Sequence, residues 1–193
     1  MRRKRLLISV FVAVLSVLGL SGSLMTTQAS PTGHTVTSAK LSATLNGFRE
    51  VPPNITIAHG TLTASFTSHS ISYVLSYVNM SETVVVSHLR FAQPGVIGGI
   101  VAFLCGGGNK PACPSPSGTV TGIITATDIL AVPGQGLNAG DISSVEKAIA
   151  AGDVYANVQS TRFPAGEIRG QFLVHTVVVH EDEPASQEEG TDP

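Results

Sequence analysis

Apolar residues return at every second position in segment after segment of this 193-residue chain. Ile71, Tyr73, Leu75 and Tyr77 make one such row. Val154, Ala156 and Val158 make another, with Tyr155, Asn157 and Gln159 on the opposite side. Ile168, Phe172 and Val174 fall on one side together with Gly170, and Glu167, Arg169 and Gln171 on the other; Leu89 and Phe91 oppose His88 and Arg90. A period of two is that of a strand with one buried face, and a helix cannot satisfy it. Residues 36–45, 57–66, 99–104 and 119–126 read the same way, and 83–86 is apolar on both sides, which predicts a strand covered on each face. Turn signals divide these runs at Val51-Pro52-Pro53-Asn54, Pro94-Gly95, Pro133-Gly134 and Pro164-Ala165-Gly166. One segment follows the helical period instead. Asp141 is a good N-cap, Ile142, Val145 and Ile149 share a face, Lys147 lies in the second half, and Gly152 is a stop. The pattern predicts an all-β domain, an antiparallel Greek-key β-sandwich or barrel with one short helix near residues 141–151.

Both ends depart from this pattern. Arg2, Arg3, Lys4 and Arg5 precede an apolar run from Leu6 to Leu20 and a small-residue stretch ending Thr27-Gln28-Ala29. These are the three parts of a secretory signal peptide, with cleavage expected after Ala29. The competing reading is a retained N-terminal anchor, for which fifteen apolar residues are short against a span of about 20. At the other end, residues 181–193 hold six acids and no Lys or Arg. Without apolar periodicity, this reads as a disordered acidic tail. The domain boundaries expected are therefore 1–29, 30–180 and 181–193. Residues 30–180 carry seven basic and seven acidic residues, a balance that excludes a basic nucleic-acid-binding domain of the usual kind. The chain has two cysteines, Cys105 and Cys113, at the ends of the Gly- and Pro-rich loop CGGGNKPAC. In an exported chain this spacing reads as a local disulfide; a redox or metal pair normally has two intervening residues.

Separated motifs then come together. Leu45-Asn46-Gly47-Phe48-Arg49-Glu50-Val51-Pro52-Pro53 lies near the start, and Ser87-His88-Leu89-Arg90 with Gly98-Gly99-Ile100-Val101-Ala102-Phe103-Leu104-Cys105 in the middle. Ala151-Gly152-Asp153-Val154-Tyr155-Ala156-Asn157-Val158-Gln159-Ser160 and Phe163-Pro164-Ala165-Gly166-Glu167-Ile168-Arg169-Gly170-Gln171 follow. Their order and spacing over about residues 38–174 resemble the CHRD domain, a module repeated in the secreted protein chordin and found singly in many bacterial exported proteins. The resemblance implies a secreted, largely β domain. It implies no growth-factor binding, which in chordin is associated mainly with separate cysteine-rich modules that are lacking here. Members of this family often have His-x-His where this chain has His88-Leu89-Arg90, and Asn-Val-His-Thr where it has Asn157-Val158-Gln159-Ser160. Three such histidines would resemble a copper–zinc superoxide dismutase site. This chain keeps His88 alone, puts a cation at Arg90 and an amide at Gln159, and so cannot form that site.

The residues that remain as candidates form a polar set of His88, Arg90, Asn157, Gln159, Glu167 and Arg169. Alternation puts them on one sheet face, and Glu167 is the carboxylate expected within salt-bridge reach of Arg90 or Arg169. The bland reading of His88 is a hydrogen-bonded histidine at a sheet edge. Catalytic inventories fail: there is no Gly-x-Ser-x-Gly elbow, no spacing that pairs Glu50, Asp128 or Glu167 as glycosidase carboxylates, and Gly106-Gly107-Gly108 opens no phosphate loop. His34, His59, His69, His175 and His180 are scattered, and Asn54-Ile55-Thr56 and Asn79-Met80-Ser81 are glycosylation sequons. The first reading is a secreted, non-enzymatic binding or structural module with no catalytic residue, no cofactor and no metal. Its partner would be an extracellular protein or surface ligand, with no nucleic acid and no membrane span after signal cleavage. The alternative is a metal-binding or metalloenzyme domain on a superoxide-dismutase-like β-sandwich.

Overall fold

The computed structural model describes residues 35–67 and 69–180, with side chains from residue 40 to residue 175. The expected signal peptide and acidic tail lie outside the described residues. Among those residues the chain forms nine strands and one α-helix: β1 (Thr35–Asn46), β2 (His59–Thr67), β3 (Ser70–Val78), β4 (Val84–Phe91), β5 (Gly99–Cys105), β6 (Gly118–Thr125), α1 (Ile142–Ala150), β7 (Val154–Ser160), β8 (Ile168–Gln171) and β9 (Leu173–His180). All pairings are antiparallel, in the order β5-β4-β7-β8-β1-β2-β3-β6, with β9 also on β1. The sheet curves until its two outer strands approach each other, which makes a nearly closed barrel of the two architectures the alternation allowed.

The seam between β5 and β6 is held by groups other than a strand ladder. Tyr73 Oη on β3 donates to the Leu104 carbonyl at 2.7 Å, and the Leu130 amide donates to the Val101 carbonyl at 2.8 Å. Lys110, in the loop between β5 and β6, donates to the Ile123 carbonyl and pairs with Asp128 at 3.1 Å. The Cys105–Cys113 disulfide closes that loop, with the Cα atoms 5.0 Å apart. Its first turn lies against Phe103: a Cβ on Gly107 would come within 2.4 Å of that ring.

Inside, alternation does what the sequence says. Leu41, Ala43 and Leu45 of β1, Leu62 of β2, Ile71, Leu75 and Tyr77 of β3, and Ala156 and Val158 of β7 are all buried. Helix α1 begins where Asp141 accepts from the Ser144 amide at 3.0 Å, and it turns Val145 and Ile149 into the core. The strand read as 168–174 is interrupted. The Phe172 amide turns to the Val154 carbonyl of β7 rather than to β1, so β8 ends and β9 begins, although both keep one register against β1 (Asn46 opposite Arg169, Ser42 opposite Leu173). Val174, expected to share the buried face with Ile168 and Phe172, is 42% exposed.

Candidate functional site

Every residue of β7 from Val154 to Val158 is buried, so this strand is covered on both faces. One face is the core. The other carries polar side chains, and the register lines them up across five strands. Phe103 (β5), His88 (β4), Asn157 (β7), Arg169 (β8) and Asn46 (β1) are successive partners in one row. The next row holds Ile100, Arg90, Tyr155 and Gln171. His88, Arg90, Asn157 and Arg169 therefore share a face, as their spacing predicts. His88 is not at an edge: β4 lies between β5 and β7, and the imidazole is buried 5.2 Å from the Phe103 ring.

What covers these polar groups is the β4–β5 loop, residues 92–98, and it is latched down by them. Arg169 donates to the carbonyls of Val96 (2.8 Å) and Gln93 (3.2 Å), and Arg90 to that of Gly98 (2.9 Å). Gln171 reaches the Ala92 carbonyl, and Tyr155 Oη accepts from the Gly98 amide. The Arg169 guanidinium also lies over the Tyr155 ring, 3.4 Å from its centroid. Both arginines thus spend donors on backbone carbonyls.

Glu167 is not their partner. It precedes β8, whose ladder starts at Ile168, and its carboxylate accepts from Thr56 Oγ1 (2.8 Å) and the Ser81 amide (2.9 Å). Burial opposes its ionisation, but hydrogen bonds from Ser160, Ser81 and Thr56 outweigh that and hold its pKa below the usual value. The expected ion pair with Arg90 or Arg169 is absent. Alternation fails at this point because Gly166, at φ +149°, redirects the chain immediately before the strand. Gly166 is also a tight contact: a Cβ there would sit 2.3 Å from Asn157 Nδ2 and 2.4 Å from Glu50 Oε1.

Glu50 takes the place expected of Glu167. It follows the short 3-10 turn Gly47–Arg49 after β1 and is buried; Asn157 Nδ2 donates to its Oε1 at 2.7 Å. Burial lifts its pKa from 4.5 to about 7, against the pull of the Asn157 hydrogen bond and the charges of Arg169 and Arg90. His88 is moved the other way, to about 4, by burial and then by Arg90, with the neighbouring Asn157 amide partly offsetting both. Among the described residues no carboxylate lies within 4 Å of either arginine, and the ion pair at that range is Lys110–Asp128.

These groups border a small cleft of about 210 Å³, lined by Glu50, Arg90, Tyr155, Asn157, Gln159 and Arg169 with Ile97 and Pro164 at its sides. Arg90 Nε is buried with no hydrogen-bond partner, and Gln159 makes one long bond, 3.4 Å, to the Ala165 carbonyl. A wider groove of about 640 Å³ shares Glu50 and Arg169 with it and is flanked by exposed Phe48 and Leu173. A third cavity, of about 170 Å³, lies between α1 and residues such as Phe91 and Val101 and has no ionisable group in its lining. Of the six residues named from sequence, four line the small cleft (Arg90, Asn157, Gln159 and Arg169), His88 sits behind Asn157, and Glu167 is elsewhere. Two of the cleft's residues, Glu50 and Tyr155, were missed as site residues. Glu50 stands in the first of the motifs quoted above, and that position was the available signal.

The CHRD-domain family model matches residues 41–172, most of the chain and all of the polar face. The chain belongs to the CHRD family. No curated protein and no solved structure matches it. In this CHRD domain no group of three or more His, Cys, Asp or Glu side chains among the described residues is arranged to hold a metal ion, and no helix among them is long and apolar enough to cross a membrane.

Proposed function

We propose that this CHRD domain is an exported, non-enzymatic binding module whose ligand seat is the cleft between Glu50, Arg90 and Asn157. The observation that carries this reading is electrostatic. Arg169 is 2% exposed, and among the described residues no carboxylate stands within 4 Å of it or of Arg90; buried charges are ordinarily paired. The acid closest in character, Glu50, is itself raised towards neutrality. Carbonyl oxygens solvate the guanidinium groups without cancelling their charge, so the open cleft keeps a net attraction for a complementary group. A binding role is favoured over catalysis because, among the described residues, the cleft is lined by no serine, threonine or cysteine that a neighbouring base could activate, and the Tyr155 hydroxyl is engaged by the Gly98 amide. Ser87, the hydroxyl nearest in sequence to His88, donates to the Asn157 carbonyl. Export rests on the N-terminal segment and agrees with the Cys105–Cys113 disulfide.

The test is an array of defined small acids, amides, saccharides and short peptides, read by shifts in melting temperature and followed by mass spectrometry of the recovered compound. A compound that binds unchanged, and stops binding when Arg90→Gln is introduced, supports the proposal. Turnover of the compound, or binding indifferent to Arg90→Gln and Gln159→Ala, overturns it. The intact mass of protein collected outside the cell tests export, with an N-terminus at Ser30 expected.

A further inference from the structure

We propose that the cleft is a carboxylate seat, taking one monoanionic carboxylate group of a ligand against Arg90, Asn157 and Glu50. This deepens the binding-module reading and depends on it. The unspent donors set the class. Arg169 Nη1 and Nη2 are engaged with carbonyls, and Asn157 Nδ2 with Glu50, which leaves Arg90 Nε as the buried donor without a partner and Gln159 Nε2 as a weakly held one, with Asn157 Oδ1 as the buried acceptor without a partner beside them. One or two donors match the two oxygens of a carboxylate. A phosphate or sulfate would bring three or more oxygens into a site that cannot satisfy them.

The charges agree. The groups facing Glu50 are Arg90 from β4, Asn157 and Tyr155 from β7, and Arg169 from β8; His88 sits behind Asn157, and the covering loop 92–98 holds no charged residue. Arg49 and Asp153 line the neighbouring groove rather than the cleft, and Arg162 lies over the Phe163 ring. With Glu50 protonated, the face carries two positive charges against none. A bound carboxylate would then neutralise part of that excess and accept the Glu50 proton in a hydrogen bond, an acid–carboxylate pair sharing one proton. Above pH 7 the ionised Glu50 would oppose the incoming anion. The ligand's charge and the Glu50 proton are therefore linked, and binding of the one favours the other.

Size fits as well. A cavity of about 150 Å³ holds a benzene-sized group, so 210 Å³ suits a carboxylate with a few carbons behind it. Such a group arises in a free short-chain acid or in an acidic side chain of a peptide. The adjoining groove, with its exposed Phe48 and Leu173, would add contacts for the longer ligand alone.

The experiment is a titration of the isotope-labelled protein, followed by amide shifts, with four probes: propionate, propionamide, inorganic phosphate, and a blocked Leu-Glu-Leu tripeptide. Propionate should move the amides of Asn157 and Gln159 and bind at least tenfold more tightly at pH 6 than at pH 8.5. Arg90→Gln should abolish the effect, and Glu50→Gln should bring the ratio between the two pH values to within twofold. A tripeptide that binds tenfold more tightly than propionate would assign the seat to a peptide-borne carboxylate, and parity to a free acid. Propionamide or phosphate binding more tightly than propionate overturns the carboxylate assignment while leaving the binding-module reading intact. Propionate affinity independent of pH overturns it too. No cleft shift with any probe overturns the carboxylate seat, and the wider compound array then decides the binding reading separately.

Discussion

Two buried glutamates, Glu50 and Glu167, lie close to Gly166 and have opposite fates. Glu167 is surrounded by neutral donors, Thr56, Ser81 and Ser160, and stays ionised below its usual pKa although it is fully buried. Glu50 has two arginines in its surroundings, yet it makes one short hydrogen bond from a side chain and rises to about 7. Burial is the largest influence on both acids: direct donors outweigh it at Glu167, whereas at Glu50 it prevails over one side-chain hydrogen bond and two arginines whose donors are turned to other acceptors. The first arrangement fastens the loop carrying Thr56 to the turn that leads into β8. The second leaves a group that can change charge near neutral pH at the wall of an open cleft.

The contrast can be broken most severely at Glu167. Glu167→Ala strands the Thr56 hydroxyl and the Ser81 amide in a part-buried place, and the loss expected is about 2 kcal/mol, from the low end of roughly 1–3 kcal/mol for each abandoned group. Urea unfolding measures it; a loss under about 1 kcal/mol would mean that water replaces the carboxylate. The pH dependence of the two acids separates them next. Glu167, lowered in the folded state, contributes stability that is present above the unfolded carboxylate pKa and is lost as pH falls through its folded value. Glu50, raised, contributes stability that is complete below about pH 4.5 and is lost as pH rises through about 7. Stability should thus fall by roughly 2 kcal/mol between pH 5 and pH 8, since each tenfold gain in proton affinity on folding is worth at most about 1.4 kcal/mol. Glu50→Gln should flatten that slope, and a slope that persists in the variant would place the titrating group elsewhere.

Two changes remote from both acids set the scale at the lower end. Replacing Cys105 and Cys113 by Ser should cost no more than about 2.5 kcal/mol, the chain-entropy value for a nine-residue loop, and should leave a cooperative melt and an unchanged Glu50 slope. Asp141→Ala removes the acceptor for the Ser144 amide and should cost about 1 kcal/mol, again with the slope intact. Calorimetry across the same pH range reads both.

The polar row was legible because strand alternation is a geometric rule, and His88, Arg90, Asn157 and Arg169 all lie inside ladders where it holds. Helix α1 was legible from Asp141 and the 3.6 period. Glu167 was misread because alternation was carried one residue before the beginning of β8, to a position that directly follows a glycine with positive φ. Glu50 was missed for the reverse reason. It sits in a loop after a 3-10 turn, where no period says which way a side chain points, and its neighbours Asn157 and Arg169 are more than 100 residues away in sequence. The break at Phe172 has a similar origin: the hydrophobic pattern runs through it unchanged, and a single amide choosing β7 over β1 makes the division.

The position of β1 governs how this chain can reach its fold. Its first half pairs with β9, with Leu41 opposite Val174, while its other edge pairs with β2. The strand made earliest on the ribosome is thus completed by the strand made last, over a separation of more than 130 residues. Long-range closure of this kind is slow and carries a large loop-entropy cost. The nascent chain therefore cannot complete the β1 ladder until β9 has emerged.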